Sequence, residues 1–262
     1  VLKKQILNVG EVDELLCKIN LIHLRDNNLE VPGIGPISSV GMETEYPKNS
    51  TSFDEITNLF NKLKSQVKID VDTSKQKIKS YCEKMNISKS PSRSKADVII
   101  NKVGYSIKSK RGAKAAILNH THRSGVLKVC KRIGFDITVL DQYINGYWTL
   151  VDQGIFNEDM KNDNPSSAFY SGLNDLEVLI NYFLFQGSPS SDSKYPSDFV
   201  VLFDDPLNEN SYEVYSKASY LKIVWNNLVF SLRSKAYIKN EVNDIWCKKR
   251  ANKNKGTLHI RI

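Results

Sequence analysis

The segment Ala96-Asp97-Val98-Ile99-Ile100-Asn101-Lys102-Val103-Gly104-Tyr105-Ser106-Ile107-Lys108-Ser109-Lys110 constrains this chain more than any other. Apolar residues alternate through Val98 and Ile100 and again through Tyr105 and Ile107, the period of two that marks strands. Asn101 and Gly104 bracket the bend between them. If Asn101 pairs with Gly104, Ile100 faces Tyr105, Ile99 faces Ser106, Val98 faces Ile107 and Asp97 faces Lys108. Directly opposed residues share a side of the sheet. Asp97, Ser106 and Lys108 therefore project from one face, with Lys110 further along it.

At 262 residues the chain can bury a large core, as one domain or one domain with a modest appendage. No apolar run approaches the roughly 20 residues that span a bilayer, so no membrane partner is expected. The opening residues Val1 to Gln5 hold no apolar signal core, and the expected location is the bacterial cytoplasm. Cys17, Cys82, Cys130 and Cys247 have no close pair. They read as reduced thiols, at least two of them on apolar helix faces. The net charge of +8 suits a polyanion partner.

Residues 3 to 25 have helical spacing that breaks near Gly10, and 31 to 52 read as loop. Ser52 and Glu55 form a capping-box pattern that opens a helix through Val67, and a second helix runs from about Thr73 to Met85. Beyond the hairpin, helices are expected through Val126 to Ile133, Leu173 to Phe185 and Leu221 to Leu228. Strands are expected at Phe199 to Phe203, Leu228 to Arg233 and Leu258 to Ile262. The period of Phe135 to Phe156 is ambiguous. Lys248 to Lys255 reads as a flexible basic segment. The expected fold class is α/β (α+β), a central mixed sheet flanked by helices, in a single domain over 1–262. Within it, 1–90 is mainly helical, and 91–262 carries the hairpin and the basic segments.

Phosphodiester hydrolysis uses a divalent cation to polarise phosphate and lower the pKa of a bound water. Asp97 is a hard oxygen ligand of the kind Mg²⁺ takes, and the carbonyl of Ile107 can supply a second oxygen. Lys108 is placed to orient or deprotonate the water and to offset charge in the transition state. The alternative is a surface hairpin with a weak cross-strand ion pair. No acid occurs between Asp97 and Asp136, whereas Lys102, Lys108, Lys110, Arg111, Lys114, Arg123, Lys128, Lys131 and Arg132 all do. Such a run concentrates polyanion around one carboxylate.

Asp97…Ser106-Ile107-Lys108 resembles the PD-(D/E)XK nuclease motif, with Ala96 in place of Pro and Ser106 in place of the second acid. Gly104 to Gly112, followed by Ile117-Leu118-Asn119-His120-Thr121, resembles type II restriction endonucleases and, among them, the HaeII-like group. The resemblance continues through Phe185-Gln186-Gly187, Asp192 to Pro196, Phe230 to Lys235 and Leu258 to Arg261, and so covers most of the chain after about residue 85. It implies a restriction-endonuclease-like core and Mg²⁺-dependent, sequence-specific cleavage of double-stranded DNA that leaves 5′-phosphates. It also implies a homodimer on a palindromic site. Asp97, Ser106 and Lys108 would be catalytic, with Asp97 and Ile107 on the metal. Ser106 is a poor Mg²⁺ ligand, and superfamily members often borrow a Glu from an upstream helix. Gly41-Met42-Glu43-Thr44-Glu45 offers two candidates, of which Glu43 is chosen, against the alternative of an exposed acidic loop end.

His120 and His122 share a face in an extended segment. An HNH-type centre, a zinc pair and a phosphate or base contact are all open, but the first two need further ligands at characteristic spacing, and none is evident. Contact with DNA by Asn119, His120, His122 and Arg123 stands first, with plain loop structure close behind. Lys110, Arg111, Lys114, Arg233, Lys235, His259 and Arg261 complete the expected DNA contacts, each against the alternative of a solvated basic surface. The rival functions are a non-catalytic DNA-binding protein and a nuclease acting on RNA or structured DNA.

Overall fold

Asn8 accepts from the Glu11 amide at 3.0 Å while its own amide donates to the Glu11 carboxylate, a capping box that starts the first helix. Gly10 lies inside that first turn and does not break the helix. The computed structural model describes residues 8–48, 53–65, 68–112, 116–234 and 244–262, the side chains of 68–71 excepted. The proposed cap at Ser52, together with Lys114 and Lys235, lies outside the described residues.

In chain order the elements are α1 (Val9–Asp26), β1 (Glu30–Val31), β2 (Gly35–Pro36), β3 (Val40–Gly41), α2 (Phe53–Lys64), α3 (Lys68–Lys84), β4 (Val98–Ile100) and β5 (Val103–Ser109). There follow β6 (Ala116–Thr121), α4 (Arg123–Ile133), α5 (Ile137–Asp152), α6 (Leu173–Asn181), β7 (Phe199–Phe203), β8 (Glu213–Ser216) and α7 (Lys217–Trp225). The chain closes with β9 (Val229–Arg233), β10 (Lys248–Arg250), β11 (Lys253–Lys255) and β12 (Thr257–Arg261). The fold is α+β with mixed sheets. The chain divides into two compact units, 1–113 with 194–216, and 114–193 with 217–262.

In the first unit a five-stranded sheet has the order β3-β4-β5-β7-β8. Its β5 and β7 run parallel, with Tyr105 beside Phe199 and Lys108 beside Leu202, while the other neighbours are antiparallel. Parallel neighbours need a long connection, and here the chain supplies most of the second unit between them. Helix α1 buries residues on every side, including Asp13, Glu14, Lys18, Asn20 and Arg25. A helix covered all round is a core helix, and its charged residues need internal partners.

The hairpin register differs from the sequence expectation. Val98 pairs with Tyr105, Ile99 with Gly104 and Ile100 with Val103. The turn is Asn101-Lys102, both left-handed at φ 51° and 68°, the geometry of a tight two-residue hairpin. The Asn101 side chain accepts from the Ser38 amide and hydroxyl, each at 2.8 Å, and donates to the Pro36 carbonyl. Gly104 sits in the strand, where a Cβ would come within 2.3 Å of the Pro196 carbonyl oxygen. Every partner shifts by two positions, so Asp97 comes beside Ser106 instead of Lys108. An even shift preserves the faces: Asp97, Ser106 and Lys108 still share one.

In the second unit β6-β12-β9 form an antiparallel sheet. Phe169 stacks on Phe230 at 4.1 Å, and Tyr147, Trp148 and Trp246 are fully buried, so these aromatics are core. The ambiguous stretch resolves as α5, capped by Asp136. Leu173 to Phe185 is helical, but its last turn is a π-turn over Tyr182–Gln186. Lys248 to Lys255 is an ordered hairpin turning at Ala251, φ 49°, and not the flexible segment expected. Cys17, Cys82 and Cys130 are buried thiols on helices. Burial pushes Cys17 and Cys82 up to about 12. Among the described residues no helix is long and apolar enough to cross a membrane.

Candidate active site

Asp97 is placed by the strand before it bends into the sheet. The amides of Lys95 and Ala96 both donate to the Tyr195 carbonyl, and the Asp97 amide donates to the Tyr105 carbonyl at 2.8 Å. Its carboxylate gathers three donors. Ser90 Oγ reaches Oδ1 at 2.9 Å, while Ser106 Oγ and the Ile107 amide reach Oδ2 at 3.1 and 2.7 Å. Lys108 Nζ stands 3.7 Å from Oδ2. Each carboxylate oxygen has two lone pairs, so these contacts fill Oδ2 and leave acceptor capacity on Oδ1. The amide and carbonyl of one strand residue point to the same edge. With its N–H on Asp97, Ile107 therefore turns its carbonyl oxygen to the same edge of β5.

A second acid reaches this point from the core helix. Glu14 Oε1 accepts from the Ser90 amide at 2.9 Å and from Lys18 Nζ at 2.6 Å, and Lys18 also donates to the Ser88 carbonyl. Ser90 thus touches both acids, Glu14 with its amide and Asp97 with its hydroxyl. Lys18 is fully buried and serves as the counter-ion of Glu14. Glu43 has partners of its own: its exposed carboxylate accepts from Lys194 Nζ at 3.0 Å and Tyr195 OH at 2.9 Å, which hold it below the usual carboxylate range. Glu45 pairs with Arg25. The structure brings Glu14 to the neighbourhood of Asp97 through Ser90. One signal in the sequence pointed there: Glu14 and Lys18 are an i,i+4 pair on a helix with apolar residues on every side.

Lys95 is the other residue that the sequence reading passed over. Burial pushes its ammonium down to about 8, with the charge of Lys108 adding and that of Asp97 opposing. Lys95 thus feels the charges of both Lys108 and Asp97.

The remaining candidates are more heavily paired than a basic run suggests. Lys110 bridges Asp204 at 3.1 Å and Glu213 at 2.6 Å. Arg111 stands 3.5 Å from the buried Asp13 and lies over the Phe60 ring. In the second unit Arg123 makes a two-point bond to Asp141, at 2.9 and 2.7 Å, and Trp246 Nε1 donates to the same acid. Arg233 reaches Glu158 and Asp159, and Arg261 reaches Asp159. Asn119 contacts His259, His120 contacts Thr257, and His122 precedes α4 at its N-cap without a side-chain cap bond. Among the described residues no group of three or more His, Cys, Asp or Glu is arranged around a common metal position. Comparisons with protein-family models, with curated proteins and with solved structures each return no match.

Proposed function

We propose that this chain is a Mg²⁺-dependent, sequence-specific endonuclease of double-stranded DNA, of the type II restriction class. The observation that carries the reading is that Asp97, which shares a sheet face with Ser106 and Lys108, meets Glu14 of the core helix through Ser90 and the backbone of Ile107 through its amide. The oxygen donors suit Mg²⁺, which prefers hard carboxylate and carbonyl ligands. Asp97 through Oδ1, Ile107 through its carbonyl and Glu14 through its carboxylate would hold the ion. A bound Mg²⁺ would polarise the phosphate and lower the pKa of its water. Ser106 orients Asp97 by donating to it and needs no charge of its own. Lys108 faces the reacting phosphate, where it holds the attacking water and balances the charge that develops. A homodimer on a palindromic site would cut both strands by symmetry, each copy leaving a 5′-phosphate.

A second reading is favoured by Lys18. With its ammonium on Glu14 and three donors on Asp97, the cluster is already balanced, as a structural network in a DNA-binding protein would be. Plasmid incubated with the protein, with and without Mg²⁺, separates the two. The nuclease reading expects metal-dependent linearisation at fixed positions. Tight binding to DNA with no cutting under Mg²⁺ or Mn²⁺ would leave the second reading standing.

A further inference from the structure

The basic hairpin of the second unit, β10 with β11, carries charge that the nuclease reading does not use. Its register opposes Lys248 to Lys255, Lys249 to Asn254 and Arg250 to Lys253. Two of these cross-strand pairs set cation directly against cation, an arrangement that destabilises a bare ribbon. In each, one charge is answered from within the unit and the other is not. Lys255 Nζ donates to the Glu158 carboxylate, which Arg233 shares, and Arg250 reaches Asp152 Oδ1 at 2.5 Å. Lys248 and Lys253, their partners across the ribbon, are exposed, as is Lys249. Among the described residues these three lysines have no ion pair.

The ribbon that presents them is held at its base. The Arg250 guanidinium lies 4.9 Å over the ring of the fully buried Trp148. Trp148 Nε1 in turn donates at 2.9 Å to the carbonyl of Trp246, shortly before β10 begins. Gly256, just after β11, lets the two strands close: a Cβ there would come within 3.0 Å of Cys247 Cα. At the far end the turn is Ala251-Asn252, both exposed, with Ala251 left-handed at φ 49°. The tip is narrow, and no bulky side chain blocks its approach. A fixed base and a slim tip avoid the ordering cost that a flexible basic tail meets on binding.

We propose that β10 and β11 form a docking ribbon that enters the major groove of duplex DNA and sets Lys248, Lys249 and Lys253 against its phosphates. That groove is about 12 Å wide and admits a two-stranded ribbon. With strands about 4.8 Å apart and a rise of about 3.4 Å per residue, Lys248 and Lys253 stand at diagonal corners about 8 Å apart. Their long side chains extend that reach to the walls of the groove. Lys248 and Lys253 share one face of the ribbon and Lys249 lies on the other. Surplus charge on both faces suits insertion between two phosphate-lined walls better than a flat contact with one strand. Phosphates there would give each cation of the two opposed pairs an anion of its own. The proposal rests on the nuclease reading for its choice of duplex DNA, and it uses none of the residues around Asp97.

The test is fluorescence anisotropy of a labelled DNA duplex with the full chain in Ca²⁺, repeated across a salt series. Lys248→Ala, Lys249→Ala and Lys253→Ala together should lower the slope of log affinity against log salt by about 2–3, since each phosphate contact contributes about 0.9. The melting temperature should not fall, because the removed charges have no acid to lose. Should it fall, the corresponding triple Lys→Gln variant, melting as wild type, decides by the same slope. The triple Lys→Arg variant should keep the wild-type slope. Duplex RNA, whose major groove is too narrow for a ribbon, should bind wild type and the Ala variant alike. An unchanged slope on DNA overturns the ribbon and leaves the nuclease reading standing. An equal loss on RNA overturns groove docking in favour of a general polyanion patch. A lowered slope on DNA alone, with no cutting of plasmid under Mg²⁺, supports the ribbon and sinks the nuclease. Failure of the wild type to bind duplex DNA removes both.

Discussion

Asp97 in the first unit and the arginines of the second handle charge in different ways, although Lys110 and Arg111 of the first unit are also paired with acids. In the first, donors converge on Asp97 with Lys108 beside it, and the second acid, Glu14, is balanced by a lysine buried beside it. In the second, the arginines are absorbed one by one: Arg123 by Asp141, Arg233 by Glu158 and Asp159, Arg261 by Asp159. Acids there are spent on holding arginines still. A charge whose partners satisfy it contributes to architecture, whereas Asp97 keeps acceptor capacity on Oδ1 beside the Lys108 ammonium. The contrast shows why a basic run in a sequence is weak evidence for a binding face. What matters is whether the fold provides the acids that cancel it.

Substitutions at Glu14, Asp141, Lys95 and Arg261 probe this contrast, in descending order of expected effect on stability. Glu14→Ala leaves the fully buried Lys18 ammonium without its carboxylate, and should cost about 3–5 kcal/mol in chemical denaturation. Glu14→Ala with Lys18→Met should recover most of that cost and still fail to cleave DNA. Recovery of cleavage would remove Glu14 from the site. Asp141→Ala strands Arg123 and the Trp246 indole, and should cost about 3 kcal/mol without touching chemistry at Asp97. A cleavage rate that collapses before the protein unfolds would contradict the division of roles.

Lys95→Met has a sign set by pH. Burial pushes the Lys95 ammonium down to about 8 in the fold, against 10.5 for a free lysine. The unfolded chain therefore binds more protons between those values, and stability should rise with pH across that window. The substitution should raise the melting temperature at pH 7 and abolish the rise between about pH 8 and 10.5. A wild-type melting curve that is flat across this range would show that Lys95 is not held in a desolvated state. Arg261→Ala comes last. Its ion pair with Asp159 is largely solvent-exposed, so a change below about 0.5 kcal/mol is expected. Weaker DNA binding with stability unchanged would restore it as a phosphate contact.

The hairpin was legible in the sequence because period-two alternation is a local signal, and the face shared by Asp97, Ser106 and Lys108 survived an error in register. The register itself depended on Ser38 and Pro36 holding the Asn101 side chain, contacts that lie more than 60 residues away in sequence. Glu14 was missed for a related reason. A Glu four residues before a Lys reads locally as a solvated pair, and only the apolar residues on every side of α1 hinted at the burial that the fold completes. Strand β6 went unseen because its polar residues Asn119, His120 and Thr121 interrupt alternation where its register against β12 shifts. The pairing of Arg123 with Asp141 spans two helices, α4 and α5, and leaves no mark in either segment alone.

The central claim is that Asp97 is a metal-holding carboxylate of a cleavage site and not the hub of a structural network. The direct measurement is single-turnover plasmid cleavage by wild type and Asp97→Asn at saturating Mg²⁺, with DNA affinity read in Ca²⁺ and melting temperature recorded for both. Asn keeps an acceptor oxygen for Ser106 and the Ile107 amide but loses the charge. The expected result is a fall in cleavage of about 10³-fold or more with binding and stability nearly unchanged. Cleavage by Asp97→Asn at the wild-type rate, or loss of activity that merely follows loss of folding, would contradict the account.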